Sequence, residues 1–318
     1  MKQRFNLPIE VDLVYLWVNG NDPEWRRNRA KFSKQEYSDV GMDSEARYID
    51  NGELKYSLRS LELYAPWIRN IFIVTDNQIP EWLDTQNPRV KIIDHKKILP
   101  SVALPTFNSN VIEHALHKIP GLSEYFLYAN DDMFFNQPVK VSDFFTSEGL
   151  PIIRLNRRLF RKLWLKFLER ILKKPTNSYN LAIQRSALLV EKKYGKYIGH
   201  KTHHNIDAYR KSQYEHTYEI FKDEIEPTLS NHTRGDNDIQ RNIYSFVPIV
   251  EHQAKVKFVT QKTSFRCHIE KPYHFDRLKK YNPVFFCLND SEYANENSHQ
   301  ILRNFLQQKY PVKSSFEL

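Results

Sequence analysis

The sequence predicts an α/β fold: a mainly parallel sheet with flanking helices, plus a helical region that is inserted or appended. Short apolar runs rich in β-branched and aromatic residues alternate with stretches of helical period. Each apolar run ends at polar residues, as the buried strands of a parallel sheet commonly do. The length of 318 residues suits two ordinary domains, or one large α/β domain with an appended part.

Strands and helices alternate along the first half of the chain. The predicted strands are residues 11–18, 71–74, 90–93 and 125–128. Helical spacing is found over residues 53–64, 110–118, 154–174 and 300–308. Asp22 is expected to cap a further helix that begins at Pro23. We expect three parts: an α/β core at residues 1–150, a mostly helical region at 151–260, and a segment at 261–318 that completes the core.

The composition is typical of a globular protein, with 41% hydrophobic and 27% charged residues. Only 8 glycines occur, and neither glycine-rich phosphate-binding motif, GxGxxG or GxxxxGK(S/T), is present. There is no run of about 18 apolar residues and no apolar signal core at the start, so we expect a cytoplasmic protein. The two cysteines, Cys267 and Cys287, are expected to be reduced.

The net charge of +9 is concentrated in one segment. Residues 154–174 contain nine Lys/Arg and one Glu, a net of +8, which leaves +1 for the rest of the chain. This distribution argues against a general nucleic-acid-binding surface. Basic and apolar residues fall on opposite faces of the predicted helix, which is typical of a helix lying on an anionic membrane surface. A core-packed helix with a basic outer face and a polyanion-binding helix are the alternatives.

Asp131 and Asp132 directly follow the fourth predicted strand. Ligands of open α/β sheets bind at the carboxyl ends of the strands. Two adjacent acids at such an edge favour a divalent cation that bridges diphosphate oxygens, or a general base for an attacking hydroxyl. A capping or turn pair of aspartates is the alternative.

Two loops have groups that suit a phosphate. Residues 19–22 (Asn-Gly-Asn-Asp) precede the helix at Pro23, and backbone N–H groups of such a turn can receive an anion. A plain helix cap is the alternative. In residues 233–238, Arg234 offers a forked donor beside Gly235, and a solvated loop is the alternative.

His200, His203, His204 and Asp207 are spaced so that a helix would place them on one face. A structural zinc site is one interpretation, but no cysteine lies nearby in the sequence. A single histidine that acts as acid, base or phosphate donor is the preferred interpretation.

Four blocks resemble the Stealth family of phosphotransferases, which includes bacterial capsule-polysaccharide enzymes and the animal N-acetylglucosamine-1-phosphotransferase of lysosomal targeting. The blocks are residues 12–23 (DLVYLWVNGNDP), 47–138, about 200–246, and 285–290 (FFCLND), with the closing SFEL at 315–318. They cover well over half of the chain, in order. The chain departs from the family pattern at Leu16, where Thr is usual, at Lys55, where Arg is usual, and at Asp76-Asn77, where Asn-Gly is usual.

The resemblance implies a Rossmann-like or GT-A-like core that transfers a hexose-1-phosphate, often an N-acetylhexosamine-1-phosphate. The donor would be a UDP-sugar, the acceptor a polysaccharide or lipid-linked glycan, the leaving group UMP and the cofactor Mg²⁺ or Mn²⁺. By position, the catalytic residues would be Asp131, Asp132, His200 and Arg234. The donor-binding residues would be Asn19, Gly20, Asp22, Arg59, Asn108 and Asn130. The metal ligands would be Asp131, Asp132 and Asp290.

Two rival functions remain open. A metal-dependent glycosyltransferase would use the same donor but would release UDP, because the acceptor attacks the anomeric carbon. A non-catalytic glycan-binding protein anchored by residues 154–174 would tolerate loss of the acid pair. The leaving nucleotide separates the first rival from the phosphotransferase, and substitution of Asp131 and Asp132 separates the second.

Overall fold

The computed structural model describes residues 9–32, 48–159 and 178–318. The strands are β1 (Val11–Leu16), β2 (Ile71–Thr75), β3 (Val90–Asp94), β4 (Tyr125–Asn130), β5 (Met133–Phe135), β6 (Ile152–Leu159), β7 (His200–Thr202), β8 (Asp207–Arg210), β9 (Lys255–Phe258), β10 (Ser264–His268) and β11 (Phe285–Asn289). The helices are α1 (Pro23–Ala30), α2 (Glu53–Tyr64), α3 (Ser109–Glu113), α4 (Ser178–Tyr194), α5 (Lys211–Ile220), α6 (Lys222–Ile225), α7 (Ile243–Val250), α8 (Pro272–Tyr281) and α9 (Glu296–Lys309).

The central sheet has five strands in the order β3-β2-β1-β4-β8. Its first four strands run parallel, and β8 pairs antiparallel with β4 at the edge. Two three-stranded sheets, β10-β11-β5 and β7-β6-β9, flank it. The predicted α/β class with a mainly parallel core sheet is therefore confirmed.

Both faces of the central sheet are covered, as its nearly all-apolar strands require. Side chains alternate along β1, so Val14 packs on one face while Leu13 and Tyr15 pack on the other. Helix α2 covers the second face with Leu54, Leu58 and Leu61, which are fully buried.

Most of the predicted elements are confirmed. The four predicted strands correspond to β1–β4, and the helices over 53–64 and 300–308 to α2 and α9. Asp22 caps α1 as predicted, because its carboxylate accepts from the backbone N–H groups of Glu24 and Trp25 at 2.8 and 3.3 Å. The helix predicted over 110–118 is shorter, since α3 ends at Glu113 and a 3₁₀ turn follows at Leu116–Lys118.

The helix predicted over 154–174 is wrong at its start. Residues 154–159 belong to β6, which pairs with both β7 and β9. Ile152, Ile153 and Leu155 are buried, and Arg154 lies over the rings of Phe144 and Phe285. Sheet pairing and burial thus decide the structure of residues 154–159, which precede the apolar residues of helical spacing that begin at Phe160. The rest of the predicted helix falls in residues 160–177, outside the described residues.

The described residues of region 151–260 include strands as well as helices, whereas a mostly helical region was predicted. The region contributes β6–β9, and β8 is hydrogen-bonded to β4 of the central sheet. The C-terminal segment packs beside the core through β10, β11 and α9, which enclose a further apolar cluster. Cys267 and Cys287 are both free thiols, as predicted. Among the described residues, no helix is long and apolar enough to cross a membrane.

Candidate active site

A cavity of about 480 Å³ opens at the carboxyl edge of the central sheet. All four parallel strands contribute to its wall, through Leu16 of β1, Val74 of β2, His95 after β3 and Asn130 of β4. The end of β11 adds residues 288–290 from the neighbouring sheet. The cavity therefore lies where an open parallel sheet is expected to bind its ligand.

Asp131 and Asp132 lie in the wall of this cavity, in the tight turn that joins β4 to β5. Burial raises the pKa of Asp132 to about 6, although hydrogen bonding by the Cys287 thiol opposes the change. Burial, followed by the charges of Asp132 and Glu53, raises the pKa of Asp131 well above its usual value. The pair is thus costly to ionise unless positive charge is brought near it.

Asp132 has one satisfied and one orphaned oxygen. Its Oδ2 accepts from the Cys287 Sγ at 3.0 Å, whereas its Oδ1 is buried without a hydrogen-bond partner among the described residues. A buried carboxylate oxygen that lacks a donor is the kind of atom that a cation satisfies.

The donors near Asp132 fit a metal ion. One oxygen of Asp132, one ring nitrogen of His204 and the Cys287 Sγ all lie within 4.8 Å of one another. Among the described residues, this is the group with metal-ligand spacing, and the predicted ligands Asp131 and Asp290 are not part of it. Asp290 also lines the cavity, but its carboxylate accepts from His299 Nε2 at 2.9 Å and from the Ser291 amide at 2.7 Å.

Charges of both signs line the cavity. The acidic side chains are Glu53, Glu113, Asp131, Asp132, Asp290 and Glu292. The cationic side chains are Lys201, Arg234, Arg241 and Arg266. Burial raises the pKa of Glu53 to about 8, so a nearby cation would favour ionisation of this acid as well as of the acid pair.

Arg234 reaches the cavity from the loop at residues 233–238, and its Nη2 donates to Ser109 Oγ at 3.0 Å. The loop is held in place by Asp238, which is 2% exposed. Asp238 accepts from the side-chain amides of Asn108 and Asn110 at 2.9 Å each, and from that of Asn231 at 2.7 Å. This carboxylate therefore fixes the loop against the start of α3, and Arg185 of α4 also holds the loop by donating to the carbonyl oxygens of Asp236 and Asp238.

The histidines do not share a helical face as predicted. His200 is in β7, where its Nδ1 lies 3.1 Å from the Asn156 carbonyl oxygen, and it is not among the residues that line the cavity. His203 is buried and lies 3.2 Å from Asp207, the first residue of β8. His204 lines the cavity instead. Because the backbone here is a strand followed by a loop, the helical spacing on which the prediction relied does not apply.

Three of the predicted donor-binding residues form the loop after β1. Asn19 donates its backbone N–H to Gln78 Oε1 at 2.8 Å, and Asp22 caps α1. A β-carbon at Gly20 would overlap the Tyr48 carbonyl, so this position requires glycine for close packing. None of the three lines the cavity, whereas the preceding residues 16–18 do.

Of the other three predicted donor-binding residues, one lines the cavity and two do not. Asn130 lines the cavity and accepts from the Tyr128 hydroxyl at 2.7 Å. Asn108 is buried and supports the Arg234 loop. Arg59 does not reach the cavity, because its guanidinium forms a two-pronged ion pair with Glu317 at 2.7 Å for each contact. The structure gives Arg59 a role in holding the C-terminal segment.

Sequence reasoning missed two features of the site. Arg241 is a largely buried part of the cavity wall, 2.8 Å from Asp207 and with its guanidinium 4.0 Å from the Tyr128 ring centre. Aromatic side chains form one side of the wall: Trp17, Trp25, Tyr48 and Phe107. No local motif marks these residues, since they come from separate segments.

Three parts of the chain match the Stealth protein models: conserved region 1 at residues 10–37, conserved region 2 at residues 47–153 and conserved region 4 at residues 276–318. Relatives at 32–37% identity cover nearly the whole chain. The chain belongs to the Stealth family. The acid pair lies in the segment that matches conserved region 2, and Cys287 and Asp290 lie in the one that matches conserved region 4.

Several relatives of this Stealth protein are named phosphotransferases. It is 37% identical over 312 residues to the capsular polysaccharide phosphotransferase fcs1 of Haemophilus influenzae, covering 94% of this chain and 83% of the relative. It is 33% identical to LcbA of Aeromonas hydrophila, covering 96% and 86%, and 32% identical to the exopolysaccharide phosphotransferase cps2G of Lactiplantibacillus plantarum, covering 98% and 97%. These names agree with the phosphotransferase class that the sequence predicts.

Among solved structures, the galactosyltransferase LgtC aligns with 96% of this chain and 96% of its own, at 9% identity and a TM-score of 0.46. Neither a substrate nor a mechanism follows from so distant a likeness.

Proposed function

We propose that this Stealth protein transfers a hexose-1-phosphate from a UDP-sugar to a hydroxyl of a capsular or cell-surface polysaccharide, and releases UMP. An N-acetylhexosamine-1-phosphate is the preferred transferred group. The observation that carries the proposal is the cavity at the sheet edge, where the acid pair and four cationic side chains meet. The names of the relatives, which are capsular and exopolysaccharide phosphotransferases, support the substrate class.

The cationic side chains suit a diphosphate. Arg234 lies on a fixed loop and offers a planar fork of N–H donors, the geometry that binds phosphate oxygens in pairs. Arg241 and Arg266 add positive charge to the cavity wall. The aromatic side of the wall suits the flat uracil base or the sugar ring of the donor.

The proposed reaction is an in-line displacement at the β-phosphorus of the donor. The acceptor oxygen forms a bond to this phosphorus while the bond to the UMP oxygen breaks, and the acceptor proton passes to a base. Asp131 is the preferred base, because it lines the cavity and lies outside the cluster of Asp132, His204 and Cys287, whereas His200 does not line the cavity. Arg234 stabilises charge on the transferring phosphoryl group.

Asp132 and its neighbours would hold the divalent cation, for which Mg²⁺ or Mn²⁺ was the expectation from the sequence. A bound divalent cation would neutralise the diphosphate and lower the pKa of the acid pair. Which divalent cation binds is tested separately from the transfer reaction.

The test is the nucleotide released when the purified chain is incubated with UDP-sugars, a divalent cation and a capsule-derived acceptor. UMP with phosphate retained in the glycan is the expected result, and UDP would make the protein a glycosyltransferase. Asp131→Asn should reduce turnover at least about 100-fold, the size of effect that loss of one key charged group in a site has. Asp276→Asn, an exposed acid on α8, is the matched control and should leave turnover unchanged.

We propose in addition that the enzyme is cytoplasmic and binds the inner face of the membrane through residues 154–174. The composition of this segment supports the proposal, although residues 154–159 form β6 and the remainder lies outside the described residues. Binding to anionic vesicles that weakens with salt is expected. Equal binding to neutral vesicles, or none to either, would contradict it.

A further inference from the structure

Three side chains with different donor atoms converge beside the acid pair. An oxygen of Asp132, a ring nitrogen of His204 and the sulfur of Cys287 lie within 4.8 Å of one another. They come from three separate segments: the turn between β4 and β5, the loop between β7 and β8, and strand β11. A cluster of this kind is not a feature of one local turn.

The backbone around the cluster is well fixed. Strands β5 and β11 pair antiparallel with Cys287 opposite Met133. The Asp132 carbonyl accepts from the Leu288 N–H at 2.9 Å, which ties the acidic turn to the strand that carries the thiol. Because Cys287 lies on a paired strand and the turn that carries Asp132 is hydrogen-bonded to that strand, little reordering of these two donors is needed to bind an ion.

The chemistry of the three donors distinguishes between metals. Mg²⁺ prefers carboxylate, carbonyl and water oxygens, and only one of these donors is an oxygen. Imidazole and thiolate suit Zn²⁺ and the related ions Co²⁺ and Cd²⁺. Three protein ligands with a fourth position left open is also the arrangement of catalytic zinc sites.

One carboxylate oxygen of Asp132 is available to bind an ion. The Cys287 thiol donates to Oδ2 at 3.0 Å, while Oδ1 is buried and has no hydrogen-bond partner within the part of the chain that the structure describes. An ion bound between these groups would replace the thiol proton, which is released to solvent as the thiolate forms the metal bond. The oxygen left without a donor would then also lie beside positive charge.

We infer that this cavity binds a thiophilic divalent ion of the Zn²⁺ type through Asp132, His204 and Cys287. The inference that an ion binds is argued from these three side chains alone. That a phosphate oxygen of the donor takes the open position rests on the proposed function. Cys287 is thereby a ligand of the site, whereas the other cysteine, Cys267, is buried in a separate apolar cluster on β10.

The test uses the full chain after chelator treatment, with Co²⁺ as a spectroscopic probe. Binding through a thiolate should give a near-ultraviolet charge-transfer band, and one equivalent of Zn²⁺ should abolish it while excess Mg²⁺ should not. Cys287→Ser should remove the band and weaken Zn²⁺ binding by more than the roughly 10- to 100-fold that loss of a second-shell partner costs. Cys267→Ser should keep both the charge-transfer band and the wild-type affinity for Zn²⁺.

A second measurement needs no variant. In the wild-type chain, alkylation of each cysteine is followed by mass spectrometry under partly denaturing conditions, with and without metal. Zn²⁺ should protect Cys287 more than Mg²⁺ does, and Cys267 should serve as the internal reference. A Co²⁺ complex without the band, or equal protection of Cys287 by Zn²⁺ and Mg²⁺, would overturn the inference. These readouts do not depend on turnover, so failure to release UMP would count only against the proposed function.

Discussion

The loop that carries Arg234 is held by the buried carboxylate of Asp238, and replacing that carboxylate tests how the loop is positioned. Asp238 accepts three hydrogen bonds from the amides of Asn108, Asn110 and Asn231, at 2.7 to 2.9 Å. Asp238→Asn preserves size but turns one acceptor oxygen into a donor. At least one of the three amides then faces another N–H group, and the remaining bonds lose their charge.

The magnitude follows from these contacts. A hydrogen bond to a charged group contributes about 1.5–3 kcal/mol, and a neutral one about 1 kcal/mol. Losing one charged bond and weakening two predicts a loss of about 3 kcal/mol in the free energy of unfolding, or on the order of 6 °C in the melting temperature of a chain of this size. A shift of Arg234 by about 1 Å should lower kcat by up to roughly 100-fold.

The assay is thermal unfolding together with kcat and KM for UMP release. Asp236→Asn is the matched control, because Asp236 lies on the same loop and is exposed. That variant should stay within about 0.5 kcal/mol of the wild type. If Asp238→Asn has the same melting temperature and the same kcat as the wild type, the loop is not positioned by this carboxylate and the reasoning is refuted.

Three further predictions concern the site and its supports. Asp132→Asn should abolish both Zn²⁺ binding and UMP release, measured by Co²⁺ titration and nucleotide analysis, and an active variant that still binds Co²⁺ would contradict it. Burial alone would raise the pKa of Glu317, but hydrogen bonds from Arg59 outweigh this effect and keep the pKa below its usual value. The free energy of unfolding should therefore fall as the pH drops below about 4.5. Glu317→Gln should cost about 3 kcal/mol at neutral pH, and its unfolding free energy should depend less on acid pH. Gly20→Ala should destabilise by about 1–3 kcal/mol through its clash with Tyr48, and melting temperatures equal to the wild type would refute that.

The regular part of the fold was predictable from the sequence because its signals are local. Strands β1–β4 are short apolar runs whose boundaries are marked by polar residues, and α2 has one apolar stripe. Asp22 has the side chain and the position of a helix cap. The acid pair was identifiable for a related reason, since residues that follow a parallel strand lie at the ligand-binding edge of the sheet.

Residues 154–159 show where local pattern fails. The predicted helix began at residue 154, ahead of the apolar stripe that begins at Phe160, yet residues 154–159 form β6 because strands β7 and β9, both distant in sequence, supply hydrogen-bond partners on either side. The histidine prediction failed for the same reason, since it assumed a helix where β7 ends and a loop begins. A period identifies a possible helix, but competition with long-range pairing decides the outcome.

The sequence by itself determined the α/β class, the parallel core, the reduced cysteines and the acid pair at the sheet edge. Only the tertiary structure brought Cys287 and His204 next to Asp132, placed Arg241 in the cavity wall and assigned Arg59 to the C-terminal segment. The physical reason is the separation along the chain. Cys287 lies 155 residues from Asp132, and their contact depends on the pairing of β11 with β5, which no local pattern of either segment encodes.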